Sequence, residues 1–227
     1  MLKGKFIVID GTDGSGKATQ LEILRQRLAK EGHQVETIDF PRYVESPFGK
    51  VVGMFLNGDF GGLKSINPYL VVLPYMLDQY VASRDEIDKW LNEGKIVLAN
   101  RYVTTNFAHQ TAKFRQTVDK KKYKEWLQNA AFDYLKMIEP NMVIILGVDP
   151  LIARKLIKKK ETRIYTKKKH DIAEKDLNYQ IATYKEYQGM CKERGNWQFI
   201  KCTSDSKIKE KEVIAEQVYQ QIADLLK

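Results

Sequence analysis

FIVIDGTDGSGKATQ, residues 6–20, decides how the rest of the chain is read. Phe6 to Ile9 form an apolar, largely β-branched run that predicts a buried strand, and Asp10 ends it. Gly11-Thr12-Asp13-Gly14-Ser15-Gly16 follows, then Lys17, Ala18 and Thr19, and a helix with apolar positions at Leu21, Leu24 and Leu28. A GxxxxGK run between a strand and a helix is a phosphate-binding loop. Its glycines let backbone N–H groups crowd around phosphate oxygens. The helix N-terminus adds partial positive charge, and Lys17 reaches the β- and γ-phosphates. The pattern normally continues with a hydroxyl for Mg²⁺, but Ala18 holds that place and Thr19 comes one residue later. A nucleoside triphosphate is therefore expected on residues 11–19, with the metal placed from elsewhere. Asp13 is the first candidate, because Mg²⁺ takes few protein ligands and keeps several waters.

The 227 residues contain no long polar linker, which favours a single domain over 1–227. No apolar run approaches the roughly 20 residues of a membrane span, and the sequence enters a strand almost at once, so neither a leader nor membrane attachment is expected. Cys191 and Cys202 have no metal or redox spacing and read as reduced thiols, consistent with a cytoplasmic location. The net charge is +9, from 38 basic and 29 acidic residues, and the excess is local: Lys120 to Lys122, and Arg154 to Lys169. Such charge suits anionic ligands. A nucleic-acid groove would interleave aromatics with it, and Tyr165 is the only one in the longer stretch, so no nucleic-acid partner is expected.

Strand and helix signals alternate along the chain. A second strand is expected over 33–40, leading into Phe40-Pro41-Arg42-Tyr43, then a short helix over Phe48–Leu56. Asn67-Pro68 starts a long helix to Leu91, with Leu70, Leu73, Leu77 and Val81 as its apolar stripe and a kink at Pro74. Tyr75 and Gln79 are one turn apart and share a face. A strand over Ile96–Ala99 ends at Asn100-Arg101-Tyr102, and a polar, partly helical segment follows to Lys113. An amphipathic helix over Lys120–Ile138 turns in Trp126, Ala130, Phe132 and Leu135, before a clean strand over Met142–Val148. Pro150 begins another helix. Asp171–Arg194 is helical with Ile172, Leu177, Ile181 and Tyr184 inward, Gln198–Lys201 is a last strand, and Glu212–Leu226 a last helix. The alternation predicts an α/β fold: a five-stranded parallel sheet with helices on both faces.

Arg42 and Arg101 each follow the expected end of a strand, where α/β sheets gather their ligands. Two guanidinium groups there suit a second phosphate, which implies one site for a triphosphate and one for an acceptor phosphate. Arg163 lies in the basic stretch of about 158–171, which reads as a lid bringing cations to the transferring group.

With these pieces in place, the chain resembles the thymidylate kinase family of P-loop nucleoside monophosphate kinases over nearly its whole length. FIVIDGTDGSGKATQ is similar to the family's opening strand and phosphate loop, and DFPRY with FGKVVGMFLNGDFG to its FPRY segment and following helix. YMLDQYVASRDEI resembles its YALDRY helix, NRYVTTNFAHQ its DRYxxSNxAYQ motif, and EPNMVIILGVDP the strand before its lid. The resemblance implies phosphorylation of dTMP to dTDP by ATP with Mg²⁺, and a cytoplasmic homodimer packed through helices. It implies Lys17, Asp13, Arg101 and Arg163 at the transfer site and Gly11 to Thr19 around ATP, Ala18 included. It implies Asp13, Phe40, Arg42, Tyr75, Gln79, Arg101, Thr105, Asn106 and Gln110 around the acceptor, with Tyr75 stacked on the base and Asp13 near the sugar or metal.

Four positions depart from the family pattern. Ala18 and Asn100 replace a hydroxyl and a carboxylate that usually support the metal, and Gln79 replaces an Arg that addresses the base. A Gln amide can face thymine in one orientation and cytosine in the other. His109 stands where a Tyr is usual, which bears on discrimination against ribonucleotides. A kinase for another nucleotide or deoxynucleoside, or a nucleotide-binding protein of low activity, remains compatible with these residues.

Overall fold

The computed structural model describes residues 3–157, 172–205 and 207–226. Strand β1, Lys5–Gly11, is buried from Phe6 onward. Helix α1 is Lys17–Lys30, β2 Val35–Asp39, α2 Pro47–Asn57 and α3 Pro68–Ala82. A π-type turn at Ser83–Ile87 continues α3 into α4, Asp88–Asn92. Then come β3 Ile96–Asn100, α5 Val103–His109, a 3-10 turn Thr111–Lys113 and α6 Thr117–Gln128, which widens into a π-type turn at Asn129–Tyr134. Strand β4 is Met142–Gly147, α7 Pro150–Ile157, α8 Ile172–Lys175, α9 Leu177–Glu193 and β5 Trp197–Lys201. A short hairpin of β6, Thr203–Ser204, and β7, Lys207–Ile208, precedes α10, Lys211–Ile222.

The sheet order is β2-β3-β1-β4-β5, and every pairing is parallel. The expected five-stranded parallel sheet is therefore the one observed. Its strands sort by alternation, since successive side chains point to opposite faces. Phe6, Val8, Val97, Ala99, Val143 and Ile145 pack with α3, α5, α6 and α9. Ile7, Ile9, Leu98, Ile144 and Leu146 pack with Leu21, Leu24 and Leu28 of α1 and with Ile214, Val218 and Ile222 of α10. Strand order reverses at β1, between β3 and β4, so the phosphate loop leaves the sheet where such folds form their ligand crevice.

Several expectations about faces and ends are corrected. On α3 the stripe Leu70, Leu73 and Leu77 is exposed, while Val71, Val72, Met76, Asp78 and Gln79 are buried. This helix is apolar almost all round, so periodicity alone cannot choose its inner face. Pro74 lies inside an otherwise continuous α3, and the change of helical geometry comes at Ser83–Ile87 instead. Helix α6 starts earlier and its widened end stops at Tyr134, with Tyr123, Leu127 and Ala131 fully buried. Trp126, Ala130, Phe132 and Leu135 flank that row, partly buried. On α9 the inward side is Tyr179, Gln180, Thr183, Tyr187 and Met190 rather than Leu177, Ile181 and Tyr184. Cys191 and Cys202 are free thiols, each raised to about 12 mainly by burial.

Candidate active site

The phosphate loop is shaped by its glycines. Gly14 and Gly16 have φ of 77° and 86°, which turns their N–H groups toward one side without a Cβ penalty. Gly16 caps α1, whose first turn carries no acidic residue, so the helix end keeps its positive potential for an anion. Lys17 is buried, and its Nζ donates to the carbonyls of Gly11 and Thr12 at 3.1 and 2.9 Å. Gly14, Gly16, Lys17, Ala18 and Thr19 line a cleft of about 480 Å³, within the usual range for small-ligand sites of about 300–1,000 Å³. Thr12 and Ser15 are buried within the loop.

Asp10 fastens the floor. It is fully buried, and its carboxylate accepts from the Gly11 N–H and Tyr187 hydroxyl at 2.8 Å each, and from the Thr104 and Thr105 hydroxyls at 2.9 and 2.8 Å. A buried carboxylate is tolerable when its lone pairs are filled in this way. Burial and the neighbouring Asp10 carboxylate hold the Tyr187 phenol well above its usual range, so it stays a donor.

Beyond the loop, β3 ends and Arg101 takes φ 68°, an uncommon conformation for a residue other than glycine and one that clusters at functional turns. Its N–H donates to the carbonyl of Ile9 at 3.0 Å. The guanidinium lines the cleft and pairs with Asp13. Burial alone would lower its pKa, yet Asp13 and the nearby Tyr187 and Asp10 carry it above the ordinary value. Arg101, Asp13 and Lys17 thus line the same cleft, with Arg101 and Asp13 paired. Arg42 is placed differently. Its guanidinium donates to the Asp78 carboxylate and carbonyl at 3.0 Å each and to Glu86 at 2.6 Å, and its N–H donates to Asp78 at 2.9 Å. It is absent from the cleft wall, whereas its neighbours Phe40, Pro41 and Tyr43 line it. Geometry therefore brings Lys17 and Arg101 together and ties Arg42 to α3.

Phe55, Leu56, Tyr75, Gln79, Thr105, Asn106, His109, Gln110, Lys113 and Tyr179 line the same cleft. Tyr75 and Gln79 share the cleft face of α3, as their spacing requires. Gln79 Oε1, Asn106 Nδ2, His109 Nε2, Gln110 Oε1 and Lys113 Nζ are buried and have no hydrogen-bond partner among the described residues. Buried polar atoms are rarely left so, and five on residues that line one cleft point to a polar ligand. The His109 ring can be assigned from its contacts. The Tyr179 hydroxyl donates its one proton to the His109 carbonyl at 2.9 Å, so Nδ1–H donates to that hydroxyl oxygen at 3.1 Å. Burial and Arg101 lower the imidazole to about 4, against opposing effects of Asp13 and Asp10, so Nε2 is a neutral acceptor. Burial alone lowers Lys113 to about 7, and its Nζ lies 5.1 Å from the centre of the Phe55 ring.

Asp13, Phe40, Tyr75, Gln79, Arg101, Thr105, Asn106 and Gln110, expected at the site from the sequence or from the family resemblance, all line the cleft, with Thr105 also bound to Asp10. Arg163 and the proposed lid over 158–171 lie outside the described residues. Asp39, Tyr43, Lys113 and Tyr179 also line the cleft and were not anticipated. Only Asp39 and Tyr43 carried a sequence signal, as residues flanking a strand end.

A family model described as thymidylate kinase matches residues 9–213. A thymidylate kinase of Mycobacterium tuberculosis is 30% identical over 148 residues, spanning 65% of this chain and 68% of the relative. A probable thymidylate kinase of Staphylothermus marinus is 31% identical over 160 residues, spanning 70% and 71%. In fold, the chain matches a solved thymidylate kinase from Candida albicans with a TM-score of 0.69 at 21% identity, over 99% of this chain and 93% of that one. That structure is described as revealing the origin of broad substrate specificity and a novel structural element.

Proposed function

The chain belongs to the thymidylate kinase family, and from that premise we propose that it acts as one domain that transfers the γ-phosphoryl group of ATP to the 5′-phosphate of dTMP. An acceptor phosphate oxygen forms a bond to the γ-phosphorus as the bond to the β-phosphate oxygen breaks, leaving ADP and dTDP. Such transfer needs positioning and charge neutralisation rather than a side-chain nucleophile. The observation that carries the proposal is one cleft that joins two kinds of group. Lys17, Arg101 and the phosphate loop line it together with residues that hold five unpartnered polar atoms.

Lys17 and the loop hold the donor phosphates, and Arg101 draws the acceptor phosphate toward them. Tyr75 offers a ring face to the base. Gln79 donates to one thymine edge group and accepts from N3–H. His109 Nε2, Asn106 and Gln110 take the remaining polar atoms of base and sugar. Arg42, through Asp78 and Glu86, fixes the Phe40–Tyr43 loop against α3 and so shapes the acceptor wall. Mg²⁺ fits the residues present: the phosphate end is bordered by Asp13 and Asp39, the hard oxygen donors this ion takes alongside phosphate oxygens and water. When bound with ATP it supplies positive charge to the β- and γ-oxygens.

The exposed Leu70, Leu73 and Leu77 of α3 and Val51 and Met54 of α2 form an apolar face across two helices that pack together. A second copy of this chain is the proposed occupant, in keeping with the helix-packed homodimers that the family resemblance implies. No helix among the described residues is long and apolar enough to cross a membrane, and a cytoplasmic location is proposed with the rest.

The test is ADP release with ATP and Mg²⁺, offering dTMP, dUMP, dCMP, UMP and thymidine in turn. The expected result is turnover on dTMP and none on thymidine, which has no phosphate for Arg101. Turnover on thymidine, or on no acceptor while ATP still binds, overturns the proposal.

A further inference from the structure

A divalent cation that accompanies a triphosphate needs a hard oxygen donor from the protein, commonly one or two carboxylates. The loop provides a methyl group at Ala18, and β3 ends in the amide of Asn100. Three carboxylates line the cleft among the described residues: Asp13, Asp39 and Glu174. Asp13 is paired with Arg101, and Glu174 is buried on α8. Asp39 differs from both. It is exposed to the cleft and forms no ion pair among the described residues. It ends β2, and its Cα partner across the β2–β3 ladder is Asn100. Residues in register on adjacent strands point to the same face, about 4.8 Å apart. Desolvation by the surrounding walls raises its carboxyl above the usual range, against the opposing effects of Arg101 and Lys17. Asp39 therefore shares the cleft with the donor lysine, on the strand next to the amide.

We propose that Asp39 supplies the protein carboxylate for the metal–nucleotide complex, one strand over from Asn100, in a site that Ala18 leaves without a hydroxyl. This rests on the kinase reading above. Asn100 then acts as a positioning residue: its amide orients Asp39 and brings no charge of its own. A carboxylate at position 100 and one at position 39 become alternative solutions for the same ion, which gives the proposal a reciprocal test.

The experiment is calorimetric titration of ATP, with and without Mg²⁺, into the full chain and two variants, Asp39→Asn and Asp39→Asn/Asn100→Asp. Mg²⁺ is expected to tighten ATP binding by at least tenfold in the unchanged chain. In Asp39→Asn that gain should fall to less than twofold, while affinity for metal-free ATP stays the same or improves. The double variant should recover most of the gain. A tenfold Mg²⁺ effect persisting in Asp39→Asn overturns the proposal. So does failure of the double variant to recover while its thermal melt matches that of the unchanged chain, because Asp39 is then only structural. The acceptor assay on the unchanged chain is separate: if Mg²⁺ and ATP bind as described but no monophosphate is turned over, it is the kinase reading that fails.

Discussion

Lys17 and Gln79 line one cleft, and their variants should separate two kinds of loss. Lys17→Met removes the cation that meets charge developing between donor and acceptor. Turnover should fall at least about a hundredfold, in line with the loss of a preorganised electrostatic contact, while the thermal melt is retained. Gln79→Ala should raise KM for dTMP about tenfold, the scale of one hydrogen bond of about 1.4 kcal/mol, and leave KM for ATP within twofold. Steady-state kinetics with each substrate varied in turn checks both. Lys113 yields a prediction about stability. Its folded pKa of about 7 lies below the 10.5 of the unfolded chain, so between these values the unfolded state binds a proton that the folded state does not. Stability should therefore rise as pH increases through this window. Lys113→Met should melt higher than the unchanged chain at pH 7 and show a smaller rise between pH 7 and 9, measured by calorimetry. The loop lysine was legible because its meaning is set by neighbours within a dozen positions. Lys113 was not: nothing near it in sequence says that Phe55, far along the chain, will cover it.

Among the elements, α3 and α9 show where reading by periodicity fails. Both helices bury polar residues: Asp78 and Gln79 in one, Gln180 and Thr183 in the other. Asp78 meets Arg42 from the loop after β2, Gln79 lines the cleft, and Gln180 and Thr183 donate to the nearby carbonyls of Ala173 and Tyr179, none of which apolar periodicity reports. Tyr187 faces in to donate to Asp10, and Tyr179 to hold His109. By contrast α1 and α10 follow their apolar stripes, since they do nothing on that face except cover the sheet. Tyr187→Phe should cost about 2 kcal/mol, as for a lost hydrogen bond to a charged group, read as a lower denaturation midpoint at unchanged m. Arg42→Met leaves the fully buried Asp78 without its cation. A loss of about 3–5 kcal/mol is expected by the cost of an unpaired buried charge, and Asp78→Asn in the same background should recover part of it.

At the scale of the molecule, a five-stranded parallel sheet with helices on both faces followed from alternating strand and helix signals, which depend on composition and short spacing alone. The outward face did not, because a stripe that meets a second copy looks in sequence like one that meets the core. If the α2–α3 face is such an interface, Leu73→Glu should convert a dimer to a monomer in sedimentation, with the α/β circular dichroism unchanged. A dimer that persists unchanged would place the contact elsewhere. Asp10 links these scales. One carboxylate joins the end of β1, the first turn of α5 and the middle of α9. These segments can separate only if its four hydrogen bonds break together, which ordinary local fluctuations do not do. In deuterated solvent, the amide protons of Gly11 and of the buried turns of α5 should exchange only as fast as the whole domain opens. The floor of the cleft then has no softened intermediate for a protease or a chaperone to find: it is intact until the protein as a whole is not.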